Sequence, residues 1–425
     1  MITEKKTCRI CNSTNLQKYL DLSAQPLAND FQEDRLTTDT YPLQVNRCAA
    51  CGHSQLSHVI DVHTLYDNYL YISGVPKAFK THCFELAKKL NNLVELNSHD
   101  LIADIASNDG TFLSEFRDAS RNMFHYIGVE PAKNLISLNP PFIDIFNDFF
   151  NPRVVSDIYA KYKQKAKVIT AQNVFAHIDN LHLFVENVKE LLHEEGMFVV
   201  EVPYLRELLR KRQFDTVYHE HLSYFLIKPL VKLFDLHKLK IADVELFENM
   251  HGGTIRLYVI HQESSQLFEK RFTSSSTDDY ILIEELDGLY NPFDRTEYFY
   301  FNPTVNMLMQ DFFKYITTIG EREKVKLGIF GASAKGTVFL NKLFDGRRSD
   351  NDLFAYCYDE NKLKWGKDIP GTNITIKDPQ EISTDRITHL LITTWNFREE
   401  IIKRCKEQYG FEGKFITAIP YLRVQ

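Results

Sequence analysis

Two imidazoles, a carboxylate and two phenols fall within seven residues at Tyr218-His219-Glu220-His221-Leu222-Ser223-Tyr224. That set holds every part of a proton-transfer site: a base titrating near neutral pH, an acid to orient it, and neutral donors beside it. His219 and His221 stand two apart and would diverge on a helix, so they are not a pair of metal ligands on one helical face. A bland surface segment is the competing reading of the same string. Four of the seven cysteines form two tight pairs, Cys8-x-x-Cys11 and Cys48-x-x-Cys51, with 36 residues between them. Four thiolates on two turns suit a tetrahedral zinc ion, with Gly52 easing the second turn, and a full set of four cysteines leaves no open position. The zinc is therefore expected to be structural rather than catalytic. His53 and His58 read as surface residues nearby, and Cys83, Cys357 and Cys405 as scattered buried thiols in a reducing compartment.

A third constellation follows the apolar run Leu101-Ile102-Ala103-Asp104-Ile105, which enters the small-residue turn Ala106-Ser107-Asn108-Asp109-Gly110. Glu130 closes the next such run after Gly128. A ligand can approach the backbone at such a turn, and an acid ending the second strand can take the two hydroxyls of a ribose. The G-x-G-x-x-G fingerprint is absent, which disfavours a dinucleotide. S-adenosylmethionine tolerates the variation because no pyrophosphate must be cradled. Asn173 and His177 follow a further run, Ala166 to Thr170, and would face the same crevice. Gly331-Ala332-Ser333-Ala334-Lys335-Gly336, with Asp359 closing the run after it, reads as a second nucleotide turn.

The elements that must position these residues alternate. A helical period from about Ala78 to Leu96 precedes the run at Leu101, and strand-like runs recur at 125–130, 166–170 and 196–201 with a helical segment from Leu181 to Leu192. Strands alternating with helices imply a parallel sheet covered on both faces. A polar insertion is expected around 204–230, then strands at 239–247 and 254–260. Helical, aromatic-rich sequence from about residue 266 gives way to α/β sequence again at Lys326, at Leu353 to Asp359 and at His389 to Thr394. The expected fold is α/β in three parts: a zinc-binding domain over 1–68, a Rossmann-like S-adenosylmethionine-binding domain over 69–265 and a Rossmann-like α/β domain over 266–425. With 425 residues, 44% hydrophobic and 25% charged, the chain is long and apolar enough for several cores. A net charge of −7 without a long basic block argues against a general nucleic-acid partner. No apolar run reaches the roughly 18 residues of a membrane span, and the N-terminus lacks a signal-peptide core, so a cytoplasmic protein is expected.

These strings, in order, resemble the sugar C-methyltransferases, which methylate C3 of nucleotide-linked 4-keto-deoxysugars using S-adenosylmethionine. The match runs over nearly the whole chain: the two CxxC pairs, Tyr69-Leu-Tyr71-Ile-Ser73, Ser107 to Gly110, Asn173-Val-Phe-Ala-His177, Tyr218 to Phe225, His251-Gly-Gly-Thr-Ile-Arg256, Gly331 to Gly336, Pro370-Gly371 and Trp395-Asn-Phe. Ala106 departs from it, standing where the family usually has glycine. Methylation at carbon needs a carbanion, which a neighbouring ketone provides as an enolate once a base takes the α-proton. His221 is the candidate base, oriented by Glu220, with Tyr218, His177 and a junction tyrosine as candidate donors to the enolate oxygen. Asp104, Ser107, Asn108, Asp109, Gly110, Glu130 and Asn173 are the candidate cofactor residues. By resemblance the two outer domains enclose the nucleotide-sugar, with Tyr69, Tyr71, His219, Tyr224, Arg256 and Lys335 as candidate substrate contacts. An O- or N-methyltransferase leaves the His-Glu-His string unexplained, and a non-catalytic assembly protein on the same fold would be recognised by failure to bind cofactor.

Overall fold

The computed structural model describes residues 2–33, 39–66, 74, 77–120, 122–248, 250, 252–268, 271–272, 276–290, 296–322, 324–345 and 353–425. Tyr69, Tyr71 and His251 lie outside the described residues. The N-terminal strands are β1 (Ile2–Glu4), β2 (Leu16–Pro26), β3 (Thr40–Cys48), β4 (Ser54–Leu56) and β5 (His58–Ile60). β2 and β3 run antiparallel, with Leu16 opposite Cys48. The 36-residue spacing follows from that register: the hairpin's open end returns the second knuckle to the first. Helix α1 (Val62–Tyr66) leaves this domain toward the central one.

The central sheet comprises β6 (Leu101–Ile105), β7 (His125–Val129), β8 (Ile143–Phe146), β9 (Ala166–Gln172) and β10 (Leu192–Pro203). After the two-residue β11 (Ser223–Tyr224) it adds β12 (Leu239–Phe247) and β13 (Thr254–His261). The order is β12-β13-β10-β9-β6-β7-β8, parallel except at β13, which pairs antiparallel on both sides. The alternation of the sequence thus gives a mixed sheet, in which the short link between β12 and β13 can only return antiparallel. All five residues of β6 are buried, as a strand covered on both faces requires.

Helices α2 (Lys77–Leu93), α3 (Thr111–Ala119), α4 (Pro152–Tyr162), α5 (Leu181–Leu191), α6 (Leu205–Arg210) and α7 (Ile227–Leu236) accompany it. Asn151 and Asn180 cap α4 and α5, their side chains accepting from Val154 N at 3.0 Å and Leu183 N at 3.1 Å. The segment 204–230 is not a polar insertion. Tyr204, Leu205, Leu208, Phe214, Val217 and Phe225 are buried in it, because both outer domains cover this edge of the sheet. β11 joins β4, which makes the central chain the fourth strand of the zinc domain's sheet.

Beyond α8 (Ser265–Phe268) and α9 (Ser276–Leu286), the long α10 (Thr296–Gly320) spans two domains. Its Tyr298 meets Tyr19 of β2 edge-on at 4.9 Å, and its Phe312 meets Phe339 of α11 (Ala334–Phe344) at 5.4 Å. The C-terminal sheet has β14 (Leu327–Phe330), β15 (Phe354–Tyr358), β16 (Ile376–Lys377), β17 (His389–Ile392), β18 (Lys414–Thr417) and β19 (Arg423–Val424), with α12 (Arg398–Glu407) beside it. Its order, β16-β15-β14-β17-β18-β19, is parallel but for the last strand, a Rossmann-like unit. Among the described residues no helix is long and apolar enough to cross a membrane.

Candidate active site

The four cysteine sulfurs lie within 4.8 Å of one another, with Cys8 to Cys51 and Cys11 to Cys48 each at 3.5 Å. Tetrahedral Zn–S bonds of about 2.3 Å place sulfurs about 3.8 Å apart, so the donor set and its spacing fit zinc. Gly52 adopts φ +79° just after the last ligand, as its turn requires. His53 is not a surface residue. It is fully buried, shares a hydrogen bond with Ser223 Oγ at 3.2 Å, and burial pushes it down to about 3, because β11 closes over it. His58 is half-buried, its Nδ1 2.8 Å from Ser57 Oγ. Cys83, Cys357 and Cys405 are buried free thiols.

At the carboxyl end of β6 the chain turns through Ala106 at φ +56°, Asn108 at +54° and Gly110 at +72°. Three left-handed residues in five reverse the backbone into α3, and a Cβ on Gly110 would lie 2.6 Å from Ile143 and 2.7 Å from Asn139. Glu130, 4% exposed, holds the turn by accepting from Asn108 N and Ala132 N, both at 2.8 Å. Burial raises its pKa while those two amides oppose the rise. Asp104 accepts from Thr170 Oγ1 and is pushed up to about 7 by burial, with Glu130 and Asp109 adding to the rise. Asp109 is engaged by Thr111 Oγ1 at 2.7 Å and by Gly74 N at 3.0 Å. Ser107 is buried beside Gly128, where a Cβ would lie 2.5 Å from its Oγ. Asn173, at φ +56°, donates its backbone N–H to Glu201 O at 3.0 Å. A buried Asp104 raised further by Glu130 and Asp109 favours a cation beside it, and the ammonium and sulfonium of S-adenosylmethionine supply two positive charges. The crevice fits that group.

His221 sits beyond the same sheet edge. Its Nδ1 is 2.9 Å from the Thr216 carbonyl, an acceptor only, so Nδ1 carries the proton and Nε2 keeps its lone pair. Tyr218 Oη donates to that Nε2 at 2.7 Å. The Thr216 carbonyl therefore orients the ring, while Glu220 Oε1 accepts from Asn29 Nδ2 at 2.6 Å. Glu220 is 3% exposed, and its charge bears on the phenol of Tyr66. His177 meets His221 edge-on at 5.0 Å, is pushed down to about 4 by burial, and shares a 2.8 Å hydrogen bond with Tyr66 Oη. Tyr66 is thus the described junction tyrosine at the site.

Three expected substrate contacts are engaged by partners within the protein. Tyr224 is 3% exposed on β11; burial lifts its phenol well above the ordinary range, Tyr19 adds to this and Arg9 opposes it, all within the zinc domain's interior. His219 hydrogen-bonds the Tyr41 carbonyl at 3.2 Å, and burial pushes it down to about 4. Arg256 is gripped by Glu201 of the neighbouring strand, Nε at 2.7 Å and Nη2 at 2.6 Å, with His82 and Glu245 at its other edges. Lys335 faces Asp215 and lies 4.7 Å over the Trp395 ring. Ser333 of the expected second nucleotide turn caps its own helix, accepting from Gly336 N at 3.1 Å, while Asp359 accepts from Ala332 N at 2.8 Å. Sequence reasoning missed Asn29, Thr216 and Asp215. Asn29 lies in a loop without a pattern, Thr216 acts through its backbone, and no local signal marks Asp215 as facing another domain.

A zinc-cysteine knuckle, a methyltransferase sheet with an acid-lined crevice and a histidine-rich rim agree with an S-adenosylmethionine-dependent methyltransferase that acts on carbon. Family models agree along the chain: a zinc binding domain over 8–66, a methyltransferase domain over 81–243 and a C-methyltransferase C-terminal domain over 249–420. The chain is 30% identical over 421 residues to the C-methyltransferase NovU of Streptomyces niveus, covering 98% of this chain and 96% of that protein. It belongs to the C-methyltransferase family. Among solved structures it is similar to the plantazolicin methyltransferase BpumL in complex with SAH (TM-score 0.34, 11% identity, 43% of this chain and 85% of that one). It is also similar to the YcgJ protein from Bacillus subtilis (TM-score 0.33, 11% identity, 43% and 99%).

Proposed function

We propose that this C-methyltransferase acts at C3 of a nucleotide-linked 4-keto-deoxysugar, through an enolate, in deoxysugar or surface-polysaccharide biosynthesis. The observation that carries the reading is the state of His221: its proton is committed to a carbonyl, and the lone pair of Nε2 is turned toward the phenol of Tyr218 at the rim of the cofactor crevice. As Tyr218 O–H turns from Nε2 to the C4 oxygen, the freed Nε2 lone pair takes the C3 proton, the C–H electron pair moves into the enolate, and the charge ends on the C4 oxygen. Nδ1–H on the Thr216 carbonyl steadies the imidazolium so formed. His177, kept neutral by burial, and the phenols of Tyr66 and Tyr218 are the donors for the enolate oxygen. When bound, S-adenosylmethionine supplies the electrophilic methyl group that the enolate carbon takes.

Asp104, the Ser107 to Gly110 turn, Glu130 and Asn173 are assigned to the cofactor, Glu130 to its ribose. The zinc domain and the C-terminal domain are assigned to the nucleotide-sugar, and the four thiolates suit the reducing cytoplasm. Incubation with methyl-labelled cofactor and a panel of 4-keto nucleotide-sugars tests the reading. A new carbon-bound methyl at C3 is expected; a methyl found on oxygen or nitrogen, or none on any 4-keto sugar, refutes it.

A further inference from the structure

Whatever fixes the Thr216 carbonyl fixes the tautomer of His221, and that carbonyl ends a short 3-10 turn, Phe214–Thr216. The turn is clamped from the C-terminal domain. Asp215, 1% exposed, accepts from Trp395 Nε1 at 2.7 Å, and Lys335 at the start of α11 opposes its charge. The same ammonium lies 4.7 Å over the Trp395 ring, so the three side chains form one unit. Phe214 stacks on Phe339 of α11 with centroids 6.1 Å apart. From the other side Gln213 Nε2 donates to Gly252 O at 2.6 Å, and a Cβ at Gly252 would lie 2.5 Å from the Trp395 ring. A backbone turn packed this way has no room to rotate its carbonyl while Asp215 stays in place.

We propose that Asp215 is a positioning residue: held by Trp395 and Lys335, it fixes the Thr216 carbonyl and so keeps His221 in the Nδ1–H tautomer. Docking of the C-terminal domain is thereby transmitted to the base, one residue from a domain contact to the group it governs. The role in catalysis rests on the function proposed above, but the tautomer itself does not.

Two variants separate the possibilities. Asp215→Asn keeps an acceptor for Trp395 and removes the charge facing Lys335; Trp395→Phe keeps a ring and removes the donor. Nitrogen-15 NMR of histidine-labelled full-length protein, with the His221 signal assigned from His221→Gln, reads the tautomer without substrate. Wild type is expected to show Nδ1–H only, and each variant a mixture of tautomers. Exchange of the substrate α-hydrogen in deuterated water is expected to fall about tenfold in kcat, the effect of one charge-assisted hydrogen bond, with KM unchanged. A purely structural role would lower the unfolding midpoint and leave the folded-state tautomer intact. A single Nδ1–H signal in both folded variants, or in whichever of them folds, overturns the proposal even if no exchange is seen in any protein. Absence of exchange in wild type beside mixed tautomers in the variants counts against the function and leaves the latch standing.

Discussion

Replacing Glu201 by Gln separates two readings of Arg256, a substrate contact or an internal ion pair. Glu201 is fully buried on β10, directly opposite Arg256 on β13, and its two nearest contacts to the guanidinium are 2.6 and 2.7 Å. Burial alone would raise its pKa; Arg256 and His82 win and bring it down to about 2 from the ordinary 4.5. That drop corresponds to about 3 kcal/mol of preference for the ionised form. Removing one partner of a buried pair costs about 3–5 kcal/mol by an independent route, because the other charge is stranded. Because the folded-state value is depressed, the contribution is complete above about pH 4.5 and is lost as pH falls toward 2. Glu201→Gln should therefore lose about 3 kcal/mol at pH 7, read as a lower urea midpoint by far-ultraviolet circular dichroism, with the gap to wild type closing below pH 4.5. Equal midpoints at pH 7, or a gap that does not narrow in acid, would refute the reasoning. Unchanged stability with a raised KM for the nucleotide-sugar would return Arg256 to the substrate.

Loss of a positioned base costs about 10²- to 10⁴-fold, so His221→Ala should lose turnover by that order and keep cofactor affinity by calorimetry; near-normal transfer would remove His221 from the role. Glu130→Ala should weaken S-adenosylmethionine binding by about 1.5 to 3 kcal/mol, since it takes away charge-assisted bonds at the crevice, and preferential binding of NAD would reject the cofactor assignment. Ala106→Gly relieves a left-handed residue at about 1–2 kcal/mol and adds about 0.5–1 kcal/mol of chain entropy to the unfolded state, so a small rise in Tm is expected; a fall would mean the φ of +56° carries no strain. Metal analysis should find about one zinc per chain, from one set of four thiolates, and Cys48→Ser should lose metal and become protease-sensitive; a stable metal-free wild type would end that reading.

Some of this site was legible in the chain because its signals are local. The CxxC pairs carry their chemistry in four residues each, and the runs ending at Asp104 and Glu130 announce strand ends through hydrophobic pattern and a small-residue turn. The density of ionisable groups from Tyr218 to Tyr224 marked the candidate base. The partners of those groups were not legible. Glu220 and His221 are neighbours in sequence, yet one turn sends the carboxylate to Asn29 of the zinc domain and the ring to the Thr216 carbonyl. His53 and Tyr224 look polar and exposed until β11 crosses to pair with β4 and seals both. Arg256 is claimed by Glu201 because the antiparallel register of β10 and β13 puts them side by side, 55 residues apart. Periodicity records which face of an element is buried. It does not record which distant surface buries it, and a hydrogen bond reaching only about 3 Å is decided by that surface. The sequence by itself determined the kinds of chemistry present; the packing of three domains decided which histidine turns its Nε2 lone pair to the crevice rim, and what holds it there.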